Sequence, residues 1–173
     1  KSTGSYIGGI TGINVYDQVS YCYNSCNVTG ASYVGGISGQ NKDAGVVSQC
    51  FNAGLVTATA TNGYVGGIAG YCNTELTNCY NVGAITGKNY MGGIVGWSQS
   101  QWTRYCYNAG FVKSLSDKPS YVGAIASSNN SSYYPYYSFY DKQMCTLDGG
   151  IGRASDAINS NNRTTDKFTT DMV

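Results

Sequence analysis

Tyr64-Val65-Gly66-Gly67-Ile68-Ala69-Gly70 and, after a variable stretch, Cys79-Tyr80-Asn81-Val82-Gly83-Ala84-Ile85 form one unit of a pattern that decides the fold. The first half recurs at Tyr6 to Ile10, Tyr33 to Ile37, Tyr90 to Ile94 and Tyr121 to Ile125. The steps between the tyrosines are 27, 31, 26 and 31 residues. A period in that range is the signature of a solenoid, in which each repeat contacts only its neighbours and the product is an elongated surface. Such a shape suits holding, spacing or binding better than chemistry.

The second half keeps register with the first. Cys22, Cys50, Cys79 and Cys106 follow their tyrosines by 16, 17, 15 and 16 residues. Each precedes an aromatic residue and an asparagine: Tyr23-Asn24, Phe51-Asn52, Tyr80-Asn81 and Tyr107-Asn108. A glycine follows each cysteine by four residues, except that Cys26 takes the place in the first repeat. In the fifth repeat the pattern decays, and Phe139-Tyr140-Asp141 reads as the counterpart of Cys-Tyr-Asn. An atypical final repeat suits the end of a stack.

Composition narrows the classes. The chain has 173 residues with 24 glycines, 17 tyrosines, 2 prolines and no histidine. Glycine, serine, threonine and asparagine between β-branched and aromatic positions describe an all-β chain with many turns. Charged residues are 11% and the net charge is +1, with no Lys or Arg cluster, which excludes an electrostatic nucleic-acid binder. No stretch approaches the ~18 apolar residues of a membrane-crossing helix, so this segment is not expected to insert into a membrane.

The predicted fold is a parallel β-helix, or β-solenoid, of about five coils starting near residues 6, 33, 64, 90 and 121. Each coil is expected to hold three short strands, as in residues 64–70, 76–81 and 83–86. Crossovers between parallel strands are overwhelmingly right-handed, so a right-handed coil is expected. Glycines are expected at the sharp turns, where they supply positive φ and make room for neighbouring side chains. The longer links at 57–63 and 113–120 should bulge at one corner, since insertions in solenoids collect on one edge. Residues 1–145 form the repeat domain and 146–173 a cap or linker, with weak helical character at 154–160. The chain reads as a segment of something longer, because Ser2-Thr3-Gly4-Ser5-Tyr6 resembles the middle of the pattern at Thr86-Gly87-Lys88-Asn89-Tyr90.

The paired motifs closely resemble the GLUG repeat of large bacterial surface proteins, including adhesins and non-catalytic parts of some immunoglobulin A peptidases. The resemblance covers roughly residues 1–145. The tail at Tyr140-Asp141-Lys142-Gln143-Met144-Cys145 looks like the segment after such repeats in surface proteins of gut Bacteroidetes. The resemblance implies an extracellular or cell-surface location and an adhesive or scaffolding role. It supplies no catalytic residues.

Candidate residues divide into repeated and unrepeated ones. Repetition in every coil argues for packing. Tyr6, Tyr33, Tyr64, Tyr90 and Tyr121 should stack as one ladder, and Tyr23, Phe51, Tyr80, Tyr107 and Tyr140 as another. Cys22, Cys50, Cys79 and Cys106 should form a buried column, since free cysteine behaves as a small apolar side chain. Zinc spacing such as Cys-x2-Cys, or partner histidines, is missing, and no metal or cofactor is called for. Cys22 and Cys26 are close enough in sequence for a local disulfide. Asn24, Asn52, Asn81 and Asn108 should bond turn backbone or form an asparagine ladder. The unrepeated aromatics Trp97, Trp102, Tyr133, Tyr134, Tyr136 and Tyr137, with Tyr71 beside Trp97 in kind, are the ligand-binding candidates, because such rings suit sugars and protein partners. For the tyrosines at 133–137 a cap over the open end is favoured over binding, since terminal repeats must cover the core.

Carboxylates are scarce, and Glu75 is the only glutamate. Asp17 and Glu75 share an offset of 11 from their tyrosines, which permits a spaced pair two coils apart in solvent-facing turns. No basic residue recurs near them. The expected function is a non-catalytic structural or adhesive rod that meets a host or bacterial surface glycan or protein. The alternatives are a carbohydrate-binding module and, by fold-level analogy alone, a polysaccharide-degrading enzyme.

Overall fold

The structure, a computed structural model, describes residues 4–100, 102–129, 135, 137–145, 147, 149–150, 152 and 164–165. It is a solenoid of about five turns whose sheets are parallel throughout. Each of the first four coils carries five short strands rather than three. In the third coil these are Val65–Gly66, Ala69–Cys72, Glu75–Thr77, Tyr80–Asn81 and Ile85–Gly87. The expected first strand is broken at Gly67-Ile68 and the second at Asn78-Cys79, because a slender coil must turn there. Equivalent strands stack into five sheets, here numbered I to V in the order the chain visits them. Sheet I joins Ser5–Gly8, Ser32–Gly35, Val65–Gly66, Met91–Gly92 and Val122–Gly123. Both longer links lie at the corner from sheet V to sheet I, after Val56–Ala58 and after Val112–Ser114, as the spacing predicts.

Register follows the repeated motifs. Val34, Val65, Met91 and Val122 stand over one another in sheet I, and Val28, Val56, Ile85 and Val112 in sheet V. These two sets pack together as one apolar lobe. A second lobe holds Ile37, Ile68, Ile94, Ile125, Val47, Leu76 and the cysteines Cys50, Cys79 and Cys106. In the second coil, every member of the second lobe lies between Gly36 and Asn52. The asparagine side chain crosses the coil to touch that glycine, and pinches the core into two. Fully burying one such aliphatic side chain contributes about 1.5–3 kcal/mol, so each added coil extends both lobes.

The glycines make room for their neighbours as expected, but they do not supply the positive φ. None of the described glycines has positive φ. They are sites of close approach. A Cβ at Gly36, Gly67 or Gly93 would collide with the next coil's backbone oxygen and with Asn52, Asn81 or Asn108 of its own coil. The left-handed backbone falls on large residues. Tyr6, Tyr33, Tyr90 and Tyr121 have φ of 51–59° at one corner. Tyr21, Gln49, Asn78, Tyr105 and Tyr137 have φ of 47–55° at another.

The fifth coil is shifted by one residue from the sequence reading. Phe139, not Tyr140, pairs with Tyr107, and Tyr140 pairs with Asn108. Ser138 therefore stands in the cysteine column, and Tyr140 is buried at the asparagine position. Asp141 then caps a single helical turn, Lys142–Cys145, by accepting the N–H groups of Gln143 and Met144. Gly149 and Gly150 lie on the fifth coil and accept hydrogen bonds from Ala124, Ile125 and Ala126. The expected helical stretch at 154–160 lies outside the described residues.

Candidate functional site

The buried columns set which residues are left to face outward. Asn24 donates to Asn52 Oδ1 at 2.7 Å, Asn52 to Asn81 at 2.8 Å, and Asn81 to Asn108 at 2.7 Å. Each also donates to the carbonyl two residues on. A second asparagine pair was not foreseen: Asn14 donates to Asn41 Oδ1 at 2.8 Å, and Asn41 to Thr74 Oγ1 at 2.8 Å. Its signal was an equal offset of eight from Tyr6 and Tyr33. The third and fourth coils hide it by placing Cys72 and Ser98 there.

The cysteine column is formed as expected. Cys50, Cys79 and Cys106 are buried and Cys22 half-buried. Their thiols donate to the carbonyls of Ser48, Thr77, Arg104 and, for Cys22, Ser20. The Cys79 thiol and burial push Cys50 far above the ordinary thiol value, and Cys106 does the same to Cys79. Burial raises Cys72, and pushes Cys145 up to about 12. Such thiols are weak nucleophiles and weak ligands. Cys22 and Cys26 are both free thiols. Among the described residues no group of three or more His, Cys, Asp or Glu side chains could hold a metal ion.

The aromatic ladders consume most of the repeated rings. Tyr23, Phe51, Tyr80 and Tyr107 stack at 5.1–5.2 Å between ring centres, with planes 9–17° apart. Tyr6 and Tyr33 lie 4.7 Å apart, and Tyr90 and Tyr121 4.8 Å apart. Trp97 fits between Tyr64 and Tyr90, at 5.5 and 5.7 Å, and Tyr71 rests against Tyr33. Burial raises the Tyr64 and Tyr71 hydroxyls above the ordinary phenol value. Trp97 and Tyr71 are thus half-buried packing residues, not free binding surface.

Trp102 and Tyr137 are different. Trp102, just before the strand Thr103–Arg104, is exposed, and the Arg104 guanidinium lies 4.7 Å from its ring centre. The same guanidinium is 5.9 Å from Tyr105, which stacks on Tyr137 at 5.4 Å with planes 7° apart. Tyr105 and Tyr137 are both exposed. Arg104 also meets Glu75 of the coil below at 3.5 Å, and its Nε is buried without a hydrogen-bond partner. Two sequence candidates therefore converge on one patch, together with Arg104, Tyr105 and Glu75, which sequence reasoning missed. The signal was the unusual Trp-Thr-Arg-Tyr run at 102–105. Tyr133, Tyr134 and Tyr136 lie outside the described residues.

Asp17 and Glu75 do not form a register-matched pair. Glu75 aligns with Val46 and Gln18, because the turn before it is shorter than in the first two coils. Glu75 has a basic partner in Arg104, contrary to expectation, so it serves an ion pair.

The patch offers flat apolar faces, a guanidinium and a carboxylate on one rigid surface. That combination can hold a planar or amphipathic ligand through ring contacts and directed hydrogen bonds. In comparisons with protein-family models, curated proteins and solved structures, the chain has no match.

Proposed function

We propose that this chain is a non-catalytic segment of a bacterial surface protein, a stiff rod that attaches the cell or meets a partner outside it. The observation that carries the reading is the unbroken Asn24–Asn52–Asn81–Asn108 ladder. It ties four successive coils in one register, as a spacer requires. The resemblance of the repeat to the GLUG pattern supports the surface location and the adhesive role. A second reading is a carbohydrate-binding module, favoured by the exposed patch of Trp102, Arg104, Tyr105 and Tyr137.

The test is binding of the purified chain to a broad glycan and mucin array, beside Trp102→Ala and Tyr137→Ala variants with unchanged circular dichroism. Specific binding lost in both variants makes the patch the contact site. Binding that survives them places the contact elsewhere on the rod. Turnover of any polysaccharide by the chain overturns the non-catalytic reading.

A further inference from the structure

Sheet III joins Gln18–Ser20, Val46–Ser48, Glu75–Thr77 and Thr103–Arg104. Val47 and Leu76 belong to the core, and Thr103, in register with Leu76, is buried too. Side chains alternate along a strand, so Val46, Ser48, Glu75, Thr77 and Arg104 fall on the other, outer side. Trp102 comes one residue before Thr103, and the register sets it beside Glu75. Glu75 and Arg104 are the only charged side chains in these four strands. Amides and hydroxyls surround them. Gln49 and Asn78 are exposed at the same corner as Tyr105 and Tyr137, and Ser48 and Thr77 lie in the strands that lead to it.

The ion pair on this face is not tightly closed. Arg104 Nη2 and Glu75 Oε1 are 3.5 Å apart, beyond the about 2.7–2.9 Å of a tight charge-assisted bond. The two side chains are 32% and 37% exposed. A carboxylate accepts hydrogen bonds and a guanidinium donates them. Side by side they suit two neighbouring hydroxyls, one donating to Glu75 and the next accepting from Arg104. Exposed rings flank the pair, with the guanidinium 4.7 Å from the centre of Trp102 and 5.9 Å from that of Tyr105. Such rings give the C–H face of a sugar a flat apolar surface. Charge then selects the ligand. An anion drawn to Arg104 meets the Glu75 carboxylate at the same place, and a cation drawn to Glu75 meets the guanidinium. A protein contact fits less well, because the centre of such an interface excludes water around its rings, whereas amides and hydroxyls border these.

We infer that, on the reading of this patch as a carbohydrate site, its ligand is an uncharged glycan. Two adjacent sugar hydroxyls bridge Glu75 and Arg104, and the C–H face of the sugar rests on the rings of Trp102 and Tyr105. Glu75 sets the specificity, because it accepts a hydroxyl and cancels the charge that would otherwise favour acidic sugars.

The test titrates the purified chain with neutral hexose and N-acetylhexosamine polymers, and with uronic-acid, sialylated and sulfated glycans at the same salt concentration. Trp102→Ala, Glu75→Gln and Arg104→Gln are compared with it, each with unchanged circular dichroism. A neutral polymer should bind the original chain, and Trp102→Ala should lose it. Glu75→Gln should weaken that binding about tenfold and strengthen binding of acidic glycans, since the guanidinium then stands without its carboxylate. Arg104→Gln should weaken neutral binding with no such gain. A preference of the original chain for acidic glycans, or neutral binding that Glu75→Gln leaves unchanged, overturns the inference and still leaves a carbohydrate site. A folded chain that binds no glycan removes the carbohydrate reading together with the inference, and leaves the patch to a protein partner.

Discussion

A buried asparagine is costly unless its polar atoms are bonded, and Asn81 meets that condition at both ends of its amide. It donates to Asn108 and Gly83 and accepts from Asn52 and from the Gly83 N–H. Asn81→Ala should cost about 2–4 kcal/mol in urea unfolding, because it strands partners above and below. Asn24→Ala should cost about 1 kcal/mol, since it leaves only one side of the ladder unpaired. Equal losses at the two sites would sink the ladder account. The facing glycine is coupled to this residue. Gly36, Gly67 and Gly93 face an asparagine across the coil, while Ala124 stands in the one coil where Tyr140 has replaced it. Gly67→Ala should destabilise by about 1–3 kcal/mol through overpacking, whereas Ala124→Gly should cost under about 1 kcal/mol. The recurring Gly and Asn were plain in the sequence. Their contact was not, because a fixed separation along the chain does not say which two residues meet across a coil.

The corner elements carry strain on residues that sequence propensity would never place there. Left-handed backbone costs an L-residue roughly 1–2 kcal/mol, and asparagine tolerates it best. At the corner before the cysteine column, Asn78 suits its φ of 54°, but Tyr21, Tyr105 and Tyr137 do not. Tyr105 and Tyr137 offset part of the cost by stacking, a gain of about 0.5–1.5 kcal/mol. Tyr21 is 77% exposed. Tyr21→Asn should therefore raise stability by about 0.5–1 kcal/mol, while Tyr105→Asn should give no gain because it breaks the stack. A thermal melt of both variants decides the matter, and a stabilised Tyr105→Asn would show that the stack contributes nothing.

At the scale of the whole molecule, the buried thiols make the fold sensitive to base. Cys50, Cys72, Cys79 and Cys145 hold their protons in the folded state well past the ordinary value of 9.0. The unfolded chain releases them above that value and so binds fewer protons. Their contribution to stability is thus complete below about pH 9 and is lost as pH rises above it, for Cys145 up to about 12. The limiting slope is about 1.4 kcal/mol per pH unit for each thiol. The urea midpoint should hold steady between about pH 7 and pH 8 and fall by about pH 10. A midpoint that stays level to that point would place these cysteines in contact with water.

The sequence by itself determined the solenoid, the number of coils, the column of cysteines, the recurring asparagine position and the corner that takes the insertions. Each is a one-dimensional periodic property, and a stack of coils repeats one-dimensional periods in space. Only the tertiary structure decided the rest. The turns differ in length from coil to coil, so an equal offset misplaced Glu75 against Asp17, and the likeness of Phe139-Tyr140-Asp141 to Cys-Tyr-Asn misplaced Tyr140 against Tyr107 by one residue. The pairing of strands across coils brought Glu75 to Arg104 and Tyr137 to Tyr105, which are distant in sequence and share no motif. Whether a tryptophan packs or projects depended on its neighbours. Trp97 found two ladder tyrosines beside it, and Trp102 found an arginine and open solvent.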